Sequence, residues 1–164
     1  MTAQISPLLT PLLTALAVTT ALTAPGLAQA KPLTLTTQLA NYGGNPAFLA
    51  FYLTDAKGGY VGTMWLSGRR AEYFGHLSGW VRASGGNLSG LDGVTGASVG
   101  SGQTLTINLN LPDAMFDAGY KLHIDTAVES MGAMANDVAV PLDAAGAGQS
   151  VAGKGIIAAF SYSS

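Results

Sequence analysis

TLTINLNL, residues 104–111, alternates without a break: Leu105, Ile107, Leu109 and Leu111 point one way, Thr104, Thr106, Asn108 and Asn110 the other. A period of two is the signature of a strand with one face buried and one wet. The same period recurs in LTLTTQL (33–39), where Leu33, Leu35 and Leu39 share a face, and again in YKLHIDTAV (120–128). AFLAFYLT (47–54) is almost continuously apolar, which predicts a strand covered on both faces. The glycine-bearing turn DAKGG (55–59) follows, with a returning strand over 60–66. Residues 137–142 and 156–162 read as two further strands. Pro141 cannot donate to a ladder, so its strand is expected at an edge or to end there.

One segment changes period. In EYFGHLSGWVRA (72–83), Tyr73, Leu77, Trp80 and Val81 fall at helical spacing. Gly75 and Gly79 weaken it by about 1 kcal/mol each, so a short helix held by packing is expected. Seven strands, one short helix and no βαβ rhythm predict a mostly all-β fold, an antiparallel immunoglobulin-like β-sandwich.

The composition bounds the function. The chain has 164 residues, room for one ordinary domain, and 10% charged residues against a usual share of about a quarter. Net charge is −2 and no basic run extends beyond Arg69-Arg70, so nucleic-acid binding lacks its electrostatic footprint. There is no cysteine, which excludes disulfides, thiolate metal sites and thiol chemistry. Residues 1–30 contain no charge, have an apolar centre from Leu8 to Leu22, and end in Ala28-Gln29-Ala30. They read as a cleavable export signal, although their start lacks the usual Lys or Arg. Cleavage after Ala30 leaves residues 31–164 as a single exported domain that does not span the membrane.

Candidate chemistry is sparse. GQSVAGKG (148–155) nearly matches a phosphate-binding loop, but Gly155 stands where a Ser or Thr would hold magnesium, and a strand follows where a helix is required. It reads better as a glycine turn. His76 and His123 are the only histidines, with no metal-ligand spacing, and read as surface groups. Asp113, Asp117, Asp125 and Glu129 are scattered and read as solvated carboxylates. No G-x-S-x-G elbow occurs. Trp65, Tyr73, Phe74 and Trp80 cluster in sequence, as core packing or as the flanks of a flat ligand.

The remaining stretch is DGVTGAS, residues 92–98. It resembles the sequence on which ApbE-type flavin transferases act, which attach FMN from FAD to a hydroxyl of an exported protein. Asp92 matches the leading acid, Thr95 the hydroxyl position, Gly96 and Ala97 the Gly-Ala pair, and Ser98 the acceptor, where threonine is usual. Small neighbours and nearby glycines suit a hydroxyl that must reach a bound diphosphate.

Beyond this loop, LANYGGNPAFLAFYLTDAKGGYVGTMWLSG, YFGHLSGWVRAS, GQTLTINLNL, DAGYKLHIDTAVE and AGAGQSVAGKGIIAAFSY resemble a bacterial family of exported proteins, domain of unknown function 2271. The resemblance covers nearly all of residues 33–162 and implies a setting beside flavin transferases and PepSY-type membrane proteins linked to iron uptake and electron transfer. The expectation is a periplasmic electron carrier or accessory protein, not a free-standing enzyme, with FMN covalently held at Ser98. Tyr73, Trp80 and Trp65 are then candidate stacking partners and Arg82 a candidate phosphate neighbour. The alternative is a non-catalytic sandwich that binds a partner protein or small ligand through the 84–102 loop.

Overall fold

The computed structural model describes residues 29–68 and 70–164. The expected leader therefore lies outside the described residues except for its last two. Of these, Gln29 accepts the Asp113 amide through its carbonyl at 2.8 Å, and Ala30 opens the first strand.

The strands are β1 (Ala30–Leu39), β2 (Phe48–Thr54), β3 (Tyr60–Ser67), β4 (Thr95–Gly96), β5 (Thr104–Pro112), β6 (Lys121–Val128), β7 (Gly132–Pro141) and β8 (Ile157–Ser163). Two sheets form, β5-β1-β8 and β4-β3-β2-β6-β7, and their facing sides make a β-sandwich. All pairs are antiparallel except the two-residue β3–β4 pair, which is parallel. The expected architecture is present. β4 is the addition: two residues inside a stretch that reads as loop.

Alternation does the sorting. Leu33, Leu35 and Leu39 of β1 and Ile107 of β5 meet Leu49, Phe51 and Leu53 of β2 and Leu122 and Ile124 of β6 between the sheets. The inward face of β1 also carries Thr37, wholly buried, whose hydroxyl has no hydrogen-bond partner. β2 is central in its sheet, and its apolar run is explained by two covered faces. Ala50 and Tyr52 point away from the sandwich into a second cluster with Leu66, Phe74, Leu77 and Trp80.

That outer cover comes from the segment with helical spacing, which splits in two: a 3-10 stretch, Ala71–His76, and α1, Ser78–Ser84. Leu77 between them is fully buried. α1 has no side-chain cap of its own. Asp125 of β6 supplies one, its Oδ2 accepting the Trp80 amide at 2.6 Å. Gly79 makes this approach possible, because a Cβ there would stand 2.6 Å from the same oxygen.

Asp125 is fully buried, which corrects its reading as a solvated carboxylate. The β6–β7 ladder shifts register around it, and Asn136 opposite adopts a φ of 51° and donates its amide to Asp125 Oδ1 at 2.8 Å. Tyr52 donates its hydroxyl toward the same oxygen at 3.4 Å. Burial, with the nearby Asp125 charge, pushes the Tyr52 phenol well above its usual range.

Two clasps join the sheets. Tyr162 of β8 shares its hydroxyl proton between the carbonyls of Pro141 (2.9 Å) and Asp143 (2.8 Å), at the end of β7. β7 is an edge strand and ends at Pro141, as that proline requires. The buried Asp137 of β7 forms the second clasp. It accepts the Thr126 hydroxyl at 2.8 Å and the amides of Gly155 and Ile156 at 2.8 and 2.9 Å. GQSVAGKG is thus a glycine turn whose last amide, Gly155, joins that of Ile156 in holding the protein's own carboxylate.

Candidate functional site

The stretch from Asp92 to Ser98 begins in a turn and ends fastened. Asp92 is exposed at the turn. Val94 accepts the Leu66 amide and Gly96 the Gly68 amide, both at 2.8 Å, which lays Thr95–Gly96 along the end of β3. Gly96 sits on the Trp65 ring, where a Cβ would come within 2.5 Å of Cζ2. Glycine at this position therefore serves close packing, whereas the sequence suggested deformability. Three residues on, Val99 exchanges two backbone hydrogen bonds with Ala47, at 2.7 and 3.0 Å. Only Ala97 and Ser98 bridge the two fastenings. Ala97 is exposed and Ser98 half-buried.

Ser98 lines a cleft of about 380 Å³ with Asn45, Pro46, Phe48, Arg70, Tyr73 and Glu129. Phe48 and Tyr73 stack with ring centres 5.2 Å apart and planes 29° from parallel. Glu129 accepts a hydrogen bond from the Asn45 amide group at 3.3 Å. Arg70 pairs with Glu72 at 3.5 Å, both side chains about two-thirds exposed. An ion pair so placed is screened by water and holds its partners loosely.

The fold draws these residues from four places: the turn before β2, the start of the 3-10 stretch, the loop after β4, and the end of β6. Tyr73 reaches the cleft as the sequence suggested. The other suggested neighbours are elsewhere. Trp80 is sealed in the outer cluster and donates its ring N–H to Thr63 at 2.8 Å. Trp65 lies under Gly96 and donates to the Ser67 hydroxyl at 3.1 Å. Arg82, exposed on α1, faces the Tyr52 side of the molecule. Among the described residues, Arg70 is the cation that lines the cleft with Ser98. Its nearness comes from the chain reversing after β3, which no local spacing reports.

His123 is no surface group either. Its Nδ1 donates to Asn136 Oδ1 at 2.7 Å, which leaves Nε2 to accept the Thr54 hydroxyl at 2.9 Å, and its ring stacks on Tyr52 at 5.0 Å. Its role here is structural. His76 is exposed, stacked against Tyr73 at 6.1 Å. Among the described residues no cluster of His, Asp and Glu is arranged to hold a metal, and no helix is long and apolar enough to cross a membrane.

The family model described as "Predicted periplasmic protein (DUF2271)" matches residues 30–159, nearly the whole described domain. The chain belongs to the DUF2271 family. The periplasm is therefore the setting of this DUF2271 protein. No curated protein and no solved structure matches the chain. The matched span runs from the first residue of β1 into β8, so it includes the Ser98 cleft and the Asp137 clasp, while Tyr162 lies beyond its end.

Proposed function

We propose that this periplasmic DUF2271 protein is an electron carrier bearing FMN esterified through its phosphate to Ser98. A flavin transferase of the ApbE type would install it. In that step the diphosphate of FAD breaks, AMP leaves, the Ser98 Oγ–P bond forms, and the hydroxyl proton passes to a base of the transferase. The observation that carries this reading is the position of the Ser98 hydroxyl, at a cleft that also presents a loosely held arginine and a stacked aromatic pair.

The donor set suits the group. Arg70 matches a phosphate in charge and geometry. Tyr73 and Phe48 offer ring surface to a flat conjugated system. The cleft volume lies within the usual range for small-molecule sites. FMN supplies the redox chemistry, while the protein binds, orients and shields it. A covalent tether keeps the local concentration high, so modest ring contacts suffice. The resemblance of residues 92–98 to a transferase acceptor supports the same reading, as does the family's setting beside PepSY-type membrane proteins, with ferric iron as one acceptor.

Co-expression with a flavin transferase tests it. The denatured protein should retain yellow fluorescence, with an FMN-sized mass increase on the Ser98 peptide. Ser98→Ala should lose both, and Ser98→Thr should keep both. An unmodified wild-type mass refutes the proposal. It would leave a colourless binding domain, for which the 84–102 loop, with Leu88 exposed on it, is the recognition element.

A further inference from the structure

The cleft continues past Ser98. A second lobe of about 290 Å³ shares Phe48, Tyr73 and Glu129 with the first. One wall is aromatic: the Phe48, Tyr73 and His76 rings follow one another with successive planes 29° and 26° apart. The floor beside Phe48 is small: Ala127 pairs with Phe48 across the sheet and with Ala133 next to the β6–β7 turn, so the three lie side by side on one sheet face. Arg70 and Ser98 belong to the first lobe only and His76 to the second, with the Phe48–Tyr73 pair and Glu129 common to both.

We infer that the two lobes form one non-covalent subsite for a ring-plus-monophosphate ligand, with a flavin ring against Tyr73 in the second lobe and its phosphate at Arg70 in the first. The inference deepens the tether reading and rests on it for the choice of flavin. The subsite would operate without the covalent bond. Three features support it. A row of near-parallel aromatic rings rising beside a floor of small side chains leaves a slot that takes a plate better than a chain. Arg70 pairs with Glu72 in an exposed ion pair, so a phosphate displaces that partner at little cost. Glu129, at the junction of the lobes, can accept an imide N–H from the ring. Its charge opposes a second phosphate, which favours FMN over FAD.

The test uses Ser98→Ala protein made without a transferase, so that no covalent bond forms. Free FMN is titrated to about a millimolar, the order of concentration a short tether provides. Saturable quenching of flavin fluorescence is expected, with riboflavin and AMP each at least fivefold weaker. Arg70→Gln should bring FMN down to the riboflavin level without changing riboflavin. Ala133→Trp should abolish both by filling the slot. Arg70 is exposed, so its variant keeps the test decisive if Ala133→Trp fails to fold. Absence of saturable FMN binding, AMP binding equal to FMN, or FMN binding indifferent to Arg70→Gln overturns the subsite. The two ideas fail separately. A transferase-modified wild type whose Ser98→Ala form ignores FMN sinks the subsite alone. An unmodified wild type whose Ser98→Ala form binds FMN as described sinks the tether alone.

Discussion

The carboxylate of Asp125 and the backbone amide of Trp80 meet at 2.6 Å, so that a strand residue caps a helix it does not belong to. The same carboxylate takes the Asn136 amide at 2.8 Å. Asp125→Ala would orphan two backbone donors and unseat α1. We expect a loss of about 2–4 kcal/mol in chemical denaturation, with a red-shifted Trp80 emission as the helix lifts. Gly79→Ala should act in the same direction, through the clash with Asp125. Unchanged stability in both variants would show that the cap contributes nothing.

Gly96 offers a test of the site's scaffold. Its added Cβ would collide with Trp65, so Gly96→Ala should push Thr95–Gly96 off β3 at a cost of about 1–3 kcal/mol. Ala97 is exposed, and Ala97→Ser should leave stability within about 0.5 kcal/mol of the wild type. Under the tether reading, Gly96→Ala lowers the yield of flavin attachment far more than Ala97→Ser. Intact mass after a timed reaction with the transferase measures this.

Thr37 gives a prediction of opposite sign. Its hydroxyl is buried in the core face of β1 without a hydrogen bond. Thr37→Val keeps the shape and removes the unpaired group. It should stabilise the domain by about 1 kcal/mol, read as a raised denaturant midpoint with an unchanged slope.

Alkaline pH should unfold the protein through its tyrosines. An unperturbed phenol ionises near 10, and burial raises the folded values for Tyr52 and Tyr162 above that. The folded state thus favours the neutral form. The stability that depends on neutral phenols is complete below pH 10 and is lost as pH rises from there toward the folded values. Tyr52→Phe removes the most strongly shifted of these groups and should flatten the fall. Phenolate absorbance followed beside denaturation at several pH values checks it, and parallel curves for the two proteins would contradict it.

The sandwich was largely legible because alternation is a direct record of which face is wet. The leucines of 33–39 and 104–111 point inward as read, and the continuous run of β2 is covered on both sides. What escaped reading was polar and non-local. Asp125 and His123 alternate onto the outer face of their sheet, which normally means solvent. Here that face lies under α1 and a bulge, so both are held inside. The two residues of β4 are too few to show a period, and their strand geometry comes from β3. At the cleft, nearness in sequence suggested Tyr73 and Arg82; Tyr73 lines it and Arg82 does not, because chain direction after a turn leaves no compositional mark. GQSVAGKG shows the same limit: the amides at its end, Gly155 and the following Ile156, hold a carboxylate, and it is that of Asp137.

The double fastening around Ser98 bears on the order of biogenesis. With Gly96 bound to Gly68 and Val99 bound to Ala47, the intervening hydroxyl in the mature domain is a fixed point on a moulded rim, not a bead on a loose string. Under the tether reading, a transferase that recognises that rim would have to wait for secretion and folding to finish. Misfolded copies would then go undecorated, and loading with flavin would double as quality control.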